Sequence, residues 1–310
     1  MPGCRAHVVS RGFVRTVLRG RDGLEVVISP DEAFVPIGER LNPTNKPRLQ
    51  RAYDEGNWTY VQRDATRQVA AGAKVIDVNT GDPHHEIEAR KMRDAVRAVQ
   101  DVVEVPVSID SYTIDVLLVG LEVARGRPLV NSVPFEADYM QELLPAIAEH
   151  DACMIGMCTK GGAAMPETAE ERVENARALV ASAAEHGISA DRIVIDPVCL
   201  PVGANDVFGP GLLGAIRTLH REDDLNMSIG LSNVSFGLPA RRSLNAATLL
   251  MAMEAGLTAA ILDMTHKEIR HAVLAANLIR GRDEYSMSWI SNYRAEQARE
   301  EARKAKRAGG

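Results

Sequence analysis

The stretch TYVQRDATRQVAAGAKVIDVN, residues 59–79, contains a helical pattern, a break and a strand pattern in that order. Thr59 is of the type that caps a helix N-terminus, and Gly72 is typical of a helix C-terminus. The next segment, KVIDV at 74–78, is apolar almost throughout, as parallel strands are when both faces are covered. The stretch therefore predicts one unit of an alternating helix–strand architecture, with polar side chains where the strand ends.

The same alternation continues almost to the C-terminus. Short apolar runs rich in β-formers recur at FVPIG (34–38), KVIDV (74–78), PVSID (106–110), PLVN (128–131), ACMIGM (152–157), RIVID (192–196), MSIGLS (227–232) and AAIL (259–262). Helical patterns separate them, one beginning after Thr168 and stopping at Gly187 and the last lying near 266–280. Eight such units predict an α/β protein with a (β/α)8 TIM barrel. An open doubly wound sheet is the alternative, and the unbroken rhythm favours closure.

Two segments fall outside this rhythm. Residues 1–30 contain two β-like pieces around RGRDGLEVV, and we expect an N-terminal hairpin-like extension that covers the lower mouth of the barrel. The barrel itself is expected to span residues 31–290. Residues 291–310 are charged and poor in apolar side chains, which predicts a solvated helical tail with a frayed end.

Composition restricts the class of protein. Of the 310 residues, 45% are hydrophobic and 25% charged, and the net charge of −6 comes with scattered basic residues, which disfavours a nucleic-acid surface. No apolar run approaches the roughly 18 residues of a membrane span, and the N-terminus lacks the apolar segment of a secretory signal. We therefore expect a cytoplasmic protein. The four cysteines fit no zinc spacing and are expected to be reduced thiols: Cys4, Cys153, Cys158 and Cys199.

The predicted strand ends carry mostly carboxylates and amides. In chain order they are Glu39, Asp77, Asn79, Asp110, Asn131, Lys160, Asp196, Asn233 and Asp263. In a barrel these ends converge on one cavity, and several hydrogen-bond acceptors there suit a neutral ligand with a donor-rich edge, such as a reduced pterin. A phosphate-bearing ligand would call for a cationic clamp or a glycine-rich nest instead. The pattern indicates no metal site.

A purely structural interpretation of these acids stays open. An aspartate at a strand end often caps the next helix or stabilises a turn, and Asp110 before Ser111 or Asp196 before Pro197 fits that role. Asn233 likewise fits a turn after its strand. For any single one of these acids the two interpretations are balanced, whereas five such ends in one barrel favour a binding site.

Six segments resemble a known family. IGERLNPTN, GAKVIDVNTG, VSIDSYT, LVNSV, IDPVCLP and GLSNVSFGLP follow one another as they do in the pterin-binding methyltransferases. These include the methyltetrahydrofolate:corrinoid protein methyltransferases and the folate domain of cobalamin-dependent methionine synthase. The resemblance covers roughly residues 34–280, and six segments at matching strand ends are far more specific than one.

The resemblance implies roles for particular residues. Asp110, Asn131 and Asp196 match the residues that hydrogen-bond the pterin in the family. Asp77 and Asn79 match residues lining the same pocket, and Glu39 belongs to the GER motif at the pocket floor. Asn233 matches an asparagine that in the family can swing to contact N5 of the folate, and it is the expected catalytic residue.

A neutral amide suits that position chemically. The N5 amine of methyltetrahydrofolate leaves poorly unless it gains a proton, so a neighbouring group must tolerate both the protonated and the bare nitrogen. The amide oxygen of Asn233 can accept from N5–H, and its NH2 can donate to bare N5. A lysine would repel the protonated amine, and a carboxylate could take the proton back.

The implied activity is methyl transfer between N5 of tetrahydrofolate or 5-methyltetrahydrofolate and the cobalt of a corrinoid. The stretch DMTHKEI, residues 263–269, begins like a cobalamin-binding signature but lacks its glycine, so the cobalamin is expected from a partner corrinoid protein or from free cobalamin. A homodimer is expected from related enzymes. No nucleic acid, membrane or metal of its own is expected.

Two alternatives remain. Dihydropteroate synthases share the barrel and part of the pterin site, but they use a lysine on the seventh strand and an arginine–histidine pair after the eighth. This chain has LSNVS and LDMTHKE there, with His266 and no arginine beside it. The other alternative, a folate-binding subunit without catalysis, is disfavoured by Asn233.

Overall fold

The computed structural model describes residues 12–160 and 165–308. Cys4 and the first eleven residues of the predicted extension lie outside the described residues. Within them the strands are β1 (Thr16–Arg19), β2 (Glu25–Ile28), β3 (Val35–Leu41), β4 (Val75–Asn79), β5 (Val107–Asp110), β6 (Leu129–Phe135), β7 (Cys153–Lys160), β8 (Ile193–Asp196), β9 (Asn226–Met227) and β10 (Ala259–Leu262).

Helices cover the outside of the sheet. They are α1 (Pro47–Asp54), α2 (Trp58–Ala70), α3 (His85–Val102), α4 (Ile114–Val123), α5 (Leu144–Glu149), α6 (Ala169–Glu185), α7 (Phe208–Thr218), α8 (Arg241–Ala255), α9 (Lys267–Ile279) and α10 (Met287–Ala308). Short 3₁₀ segments occur at Ala190–Arg192, Leu231–Ser235 and Glu284–Ser286, and π-helical turns at Tyr139–Leu143 and Leu219–Asp223. No helix among the described residues is both long and apolar enough to cross a membrane.

The eight strands β3 to β10 form one parallel sheet in the order β10-β3-β4-β5-β6-β7-β8-β9. The two edge strands meet through a parallel bridge between Gly230 and Ile261, where the Ile261 N–H donates to the Ile229 carbonyl at 2.9 Å. This contact closes the sheet into a barrel. The predicted (β/α)8 fold is confirmed, and the open doubly wound sheet is excluded.

The seventh barrel strand is shorter than the sequence predicts. MSIGLS was expected to be extended over 227–232, whereas β9 ends at Met227 and a 3₁₀ turn begins at Leu231. The hydroxyl of Thr258 accepts from the Met227 N–H at 2.9 Å and donates to the Met227 carbonyl at 3.1 Å. Because a side chain satisfies these backbone groups, the regular ladder between β9 and β10 is interrupted.

The sequence predicted the N-cap residue of one helix correctly and that of another wrongly. For α2 the predicted cap, Thr59, is wrong, because helix α2 begins at Trp58 and the side chain of Asn57 accepts from the Tyr60 N–H at 3.2 Å. For α6 the predicted cap is confirmed: Thr168 and Glu171 form a reciprocal capping box.

The N-terminal hairpin covers the lower mouth of the barrel, as predicted. Strands β1 and β2 pair antiparallel, and Leu18 and Ile28 are fully buried against the first residues of several barrel strands, such as Val35 and Val194. The buried Asn226 amide donates to the Ile28 carbonyl at 2.8 Å and to the Thr16 hydroxyl at 3.1 Å. The hairpin thus replaces solvent at the base of the core. The division of the chain at residues 30 and 290 remains a prediction.

The C-terminal helix α10 is anchored on α9. Its Glu296 carboxylate binds Arg270 at 2.7 Å, His271 at 2.9 Å and Lys267 at 3.1 Å, all on α9. Although burial opposes ionisation, these three hydrogen-bonding partners lower the pKa of Glu296 to about 2. The predicted helical tail is confirmed, but it is docked on α9 rather than wholly solvated.

Candidate active site

The site lies toward the C-terminal ends of the strands, and its central part is a row of polar side chains across three neighbours. The predicted end of the fourth barrel strand at Asn131 is wrong, because β6 continues to Phe135. The register pairs Asn79 of β4 with Asp110 of β5, and Asp110 with Asn131 of β6. Asp77 lies two residues before Asn79, beside Ser108. Parallel strands therefore bring together four residues that are separated by up to 54 positions in sequence.

Asp77 supports this row from below. It is 2% exposed, and its Oδ1 accepts from the Ser108 hydroxyl at 2.7 Å and from the Asn131 amide at 3.1 Å. Burial raises the pKa of Asp77, and these two donors oppose the rise. Since the NH2 of Asn131 is used by Asp77, its amide oxygen is left as an acceptor for a ligand.

Asp110 is the most strongly perturbed acid of the row. Burial, followed by the nearby charge of Asp77, raises the pKa of Asp110 well above its usual value, and a hydrogen bond with Asn79 opposes the rise. Two adjacent carboxyl groups in a buried site do not both ionise easily. The proximity of Asp77 therefore adds to burial in favouring the neutral form of Asp110.

Asp196 stands at the end of β8, two strands from Asn131. Its Oδ1 accepts from the Val198 N–H at 2.8 Å, so part of the structural interpretation is correct: this aspartate stabilises a turn. Burial raises the pKa of Asp196 to about 6, against the effects of that N–H and of Arg172. Its second oxygen remains for a ligand. No hydrogen bond among the described residues joins Asp196 to the row.

Glu39 links strand β3 to the turn that follows β9. Its Oε1 accepts from the Ser232 hydroxyl at 2.8 Å. Burial raises the pKa of Glu39, and the Ser232 contact and the charge of Lys46 oppose the rise. The Lys46 ammonium donates to the carbonyls of Glu39 and Arg40, each at 3.2 Å, so a cation missed by the sequence analysis lies near the pocket floor.

Asn233 lies in the 3₁₀ turn Leu231–Ser235 and not at a strand end, which corrects the sequence-based expectation. Its backbone N–H donates to the Gly230 carbonyl at 3.2 Å, and its carbonyl accepts from the Phe236 N–H at 3.1 Å. The side chain is exposed. In the described part of the chain, no hydrogen bond joins this amide to the aspartates.

Arg40 is a further residue that the sequence analysis missed. Its Nε lies 3.0 Å from a carboxylate oxygen of Asp64, and its Nη1 lies 3.0 Å from a carboxylate oxygen of Asp263. Asp263 also accepts from Thr265. The acid at the eighth strand end is therefore committed to a structural ion pair. Arg40 follows Glu39 directly in the GER segment, which was the available sequence signal.

The thiols of the three described cysteines form no hydrogen bond with these polar side chains. Cys153, Cys158 and Cys199 are buried free thiols, and burial raises the pKa of Cys153 to about 11 and that of Cys199 to about 12, which makes them poor nucleophiles. Among residues 12–160 and 165–308, no three His, Cys, Asp or Glu side chains cluster in a way that could hold a metal ion.

Related sequences match most of the chain. A family model described as pterin binding enzyme matches residues 38–263. The methylcorrinoid:tetrahydrofolate methyltransferase of Eubacterium limosum is 31% identical over 266 residues, which cover 84% of this chain and 96% of that protein. A methionine synthase of Mycobacterium tuberculosis is 28% identical over 253 residues, covering 76% of this chain and 21% of that larger protein.

Solved structures share the barrel at lower identity. A dihydropteroate synthase from Xanthomonas albilineans superposes with a TM-score of 0.65 at 19% identity, covering 87% of this chain and 99% of that one. The enzyme from Yersinia pestis gives 0.65 at 18% identity, with 86% and 99% covered. These likenesses show the fold alone. With the family match across the barrel, the polar row at its mouth and the similarity over most of the chain, this protein belongs to the pterin-binding enzyme family.

Proposed function

We propose that this protein is a methyltransferase that moves a methyl group between N5 of tetrahydrofolate and the cobalt of a corrinoid carried by a partner. The observation that carries the proposal is the row Asn79–Asp110–Asn131 with Asp77 beneath it. Carboxylate and amide side chains that lie side by side suit a flat, uncharged heterocycle. The 31% identity to a methylcorrinoid:tetrahydrofolate methyltransferase over 84% of the chain supports the reaction class.

Recognition of the pterin follows from the mixture of carboxyl and amide groups in this row. The aminopyrimidinone edge presents an amine and a ring N–H beside acceptor atoms. The carboxyl group of Asp110 and the neighbouring amides can match such a mixed edge, because amides supply both donors and acceptors. Asn131 adds its amide oxygen, Asn79 lies beside Asp110, and Asp196 offers its free oxygen from the other side of the cavity.

Asn233 is the proposed catalytic residue. Its turn is held from inside the barrel by the contact between Ser232 and Glu39, while its own side chain remains exposed and able to rotate. A neutral amide that rotates can accept from protonated N5 and donate to the bare nitrogen. It can therefore follow N5 through the transfer without adding charge to a pocket that already contains several acids.

The corrinoid would approach from above the barrel. Tyr112, after β5, is 82% exposed, and Phe236, after the 3₁₀ turn, is 64% exposed, so aromatic surface borders the mouth where a large, flat macrocycle must lie. When bound, the corrinoid supplies cobalt as the methyl donor or acceptor. The residues of this chain bind the pterin and form a hydrogen bond with N5.

A single assay tests the proposal. Purified protein is mixed with methyltetrahydrofolate and cob(I)alamin, and loss of the cob(I)alamin absorbance is followed against a protein-free control. Turnover that depends on the protein supports the methyltransferase. Tight folate binding without turnover on free cobalamin or on corrinoid proteins supports the non-catalytic subunit, and condensation of a hydroxymethyldihydropterin pyrophosphate with aminobenzoate supports the synthase.

The setting of the reaction is part of the proposal. We expect the enzyme to act in the cytoplasm as a homodimer and to meet a separate corrinoid protein. Sedimentation at micromolar concentration tests the oligomeric state, with a mass near twice the 33.7 kDa chain expected. A mass near 33.7 kDa would contradict the dimer and leave the methyl-transfer proposal intact.

A further inference from the structure

Arg172 on α6 is a buried cation with an unusual set of partners. Its side chain is 0% exposed. The guanidinium donates to three backbone carbonyls, of Pro197 at 2.7 Å, Thr168 at 2.9 Å and Val198 at 3.4 Å, and no ion pair joins it to a carboxylate within the described residues. Burying a charge without a counter-ion in contact is costly, so its position calls for a role.

Two of its three acceptors belong to the turn that follows Asp196. Val198 in this turn has a φ of +61°, a conformation that β-branched residues rarely adopt. The same residue donates its N–H to Oδ1 of Asp196 at 2.8 Å. By binding the carbonyls of Pro197 and Val198, Arg172 holds the turn in the shape that occupies one carboxylate oxygen and leaves the other free.

Within residues 12–160 and 165–308, no second cation of this kind faces Asp196. The titratable groups of this part of the chain that face Asp196 are Tyr112 from the β5–α4 loop, Cys158 from β7 and Cys199 from its own loop, all neutral at pH 7, together with Arg172 from α6. Burial raises the pKa of Asp196 to about 6, and the charge of Arg172 opposes that rise. Removing the guanidinium would therefore favour the protonated acid.

We propose that Arg172 is a positioning residue for pterin recognition, which fixes the Pro197–Val198 turn and supplies the positive charge that keeps Asp196 ionised as a hydrogen-bond acceptor. The inference rests on the proposed function for its ligand. Its electrostatic part concerns this chain alone and can be measured without a ligand.

The first test follows the carboxyl carbon of Asp196 by NMR in the ligand-free protein, with Asp196→Asn for assignment. Arg172→Met should raise the titration midpoint by about one pH unit, whereas Arg177→Met, an exposed change on the same helix, should leave it unchanged. An unshifted midpoint in a folded Arg172→Met variant would overturn the proposal. This result does not depend on whether the protein binds folate.

The second test measures the dissociation constant for methyltetrahydrofolate against pH. Arg172→Met should bind about tenfold more weakly than wild type at pH 7 and recover part of that loss at pH 8.5, where Asp196 is ionised again. Arg172→Lys keeps the charge but loses the set of hydrogen bonds to three carbonyls, so it should weaken binding equally at all pH values. It also replaces the Met variant if that variant does not fold. Wild-type affinity in Arg172→Lys would refute the positioning role. Failure of wild type to bind any reduced folate would refute the proposed function instead.

Discussion

The hydroxyl of Ser232 donates a 2.8 Å hydrogen bond to Oε1 of Glu39, and this contact joins β3 to the turn that carries Asn233. It also satisfies a carboxyl group whose pKa burial has raised. The neighbouring Ser232 carbonyl accepts from the Arg241 guanidinium at 2.6 Å. The exposed Asn233 thus lies on a turn that is held by one contact inside the barrel and one outside it.

Ser232→Ala should loosen this turn. The substitution leaves the Glu39 carboxyl with one donor fewer, and we expect the free energy of unfolding to fall by about 1–3 kcal/mol, as measured by urea denaturation. Methyl transfer should fall with it, while folate affinity should change little. Ser243→Ala, an exposed serine at the start of α8, is the matched control and should leave both quantities within error. Wild-type stability in Ser232→Ala would mean that the contact contributes nothing.

Asn233→Ala should separate binding from chemistry. Because the proposed amide acts on N5 and not on the pterin ring, methyl transfer should slow by about 100-fold or more, with a dissociation constant for methyltetrahydrofolate within about threefold of wild type. Stopped-flow absorbance of cob(I)alamin measures the first quantity and calorimetry the second. Asn205→Ala, a half-buried loop asparagine between β8 and α7, controls for loss of an amide from another loop. Equal losses of rate and affinity would show that Asn233 is only a binding contact.

The sequence predicted the parts of the site that follow from strand periodicity. Asn79, Asp110 and Asn131 end three consecutive apolar runs, and parallel pairing then places them side by side. The early end of β9 at Met227 was not predicted, because the interruption depends on the distant Thr258 hydroxyl. Arg172 was missed for a similar reason: it lies inside a helix that is amphipathic in sequence, and only the packing shows that its partners are the carbonyls after Asp196.

Arg40→Met should be among the most destabilising single changes at the mouth. Arg40 is the shared partner of Asp64 and Asp263, so its removal leaves two mostly buried carboxylates without their cation. We expect a loss of about 3–5 kcal/mol in the free energy of unfolding, by denaturant titration. Arg177 offers a matched control, since it also bridges two acids, Glu222 and Asp223, but is 48% exposed. Arg177→Met should cost much less because exposed ion pairs are screened by water, and equal costs would show that burial of the Arg40 pairs is unimportant.

Asp196→Asn should make the protein more stable at pH 8 and unable to bind pterin tightly. The folded-state pKa of Asp196 is raised to about 6 from an ordinary 3.8, so between those pH values the unfolded chain binds fewer protons than the native one. Linkage then requires that the contribution of this group be fully present below pH 3.8 and be lost as pH rises through 6. Asparagine keeps an oxygen for the Val198 N–H and cannot ionise.

The stability difference between Asp196→Asn and wild type should therefore be small near pH 4, grow up to about pH 6 and stay constant above it. Thermal denaturation across this range measures it, with Asp206→Asn, an exposed aspartate in the following loop, as the control that should show no such trend. A difference that is independent of pH would mean that Asp196 ionises as easily in the folded barrel as in water. Ionisation of Asp196 would then cost the folded barrel no stability. The argument that this buried carboxylate is kept as an acceptor for a ligand would fail.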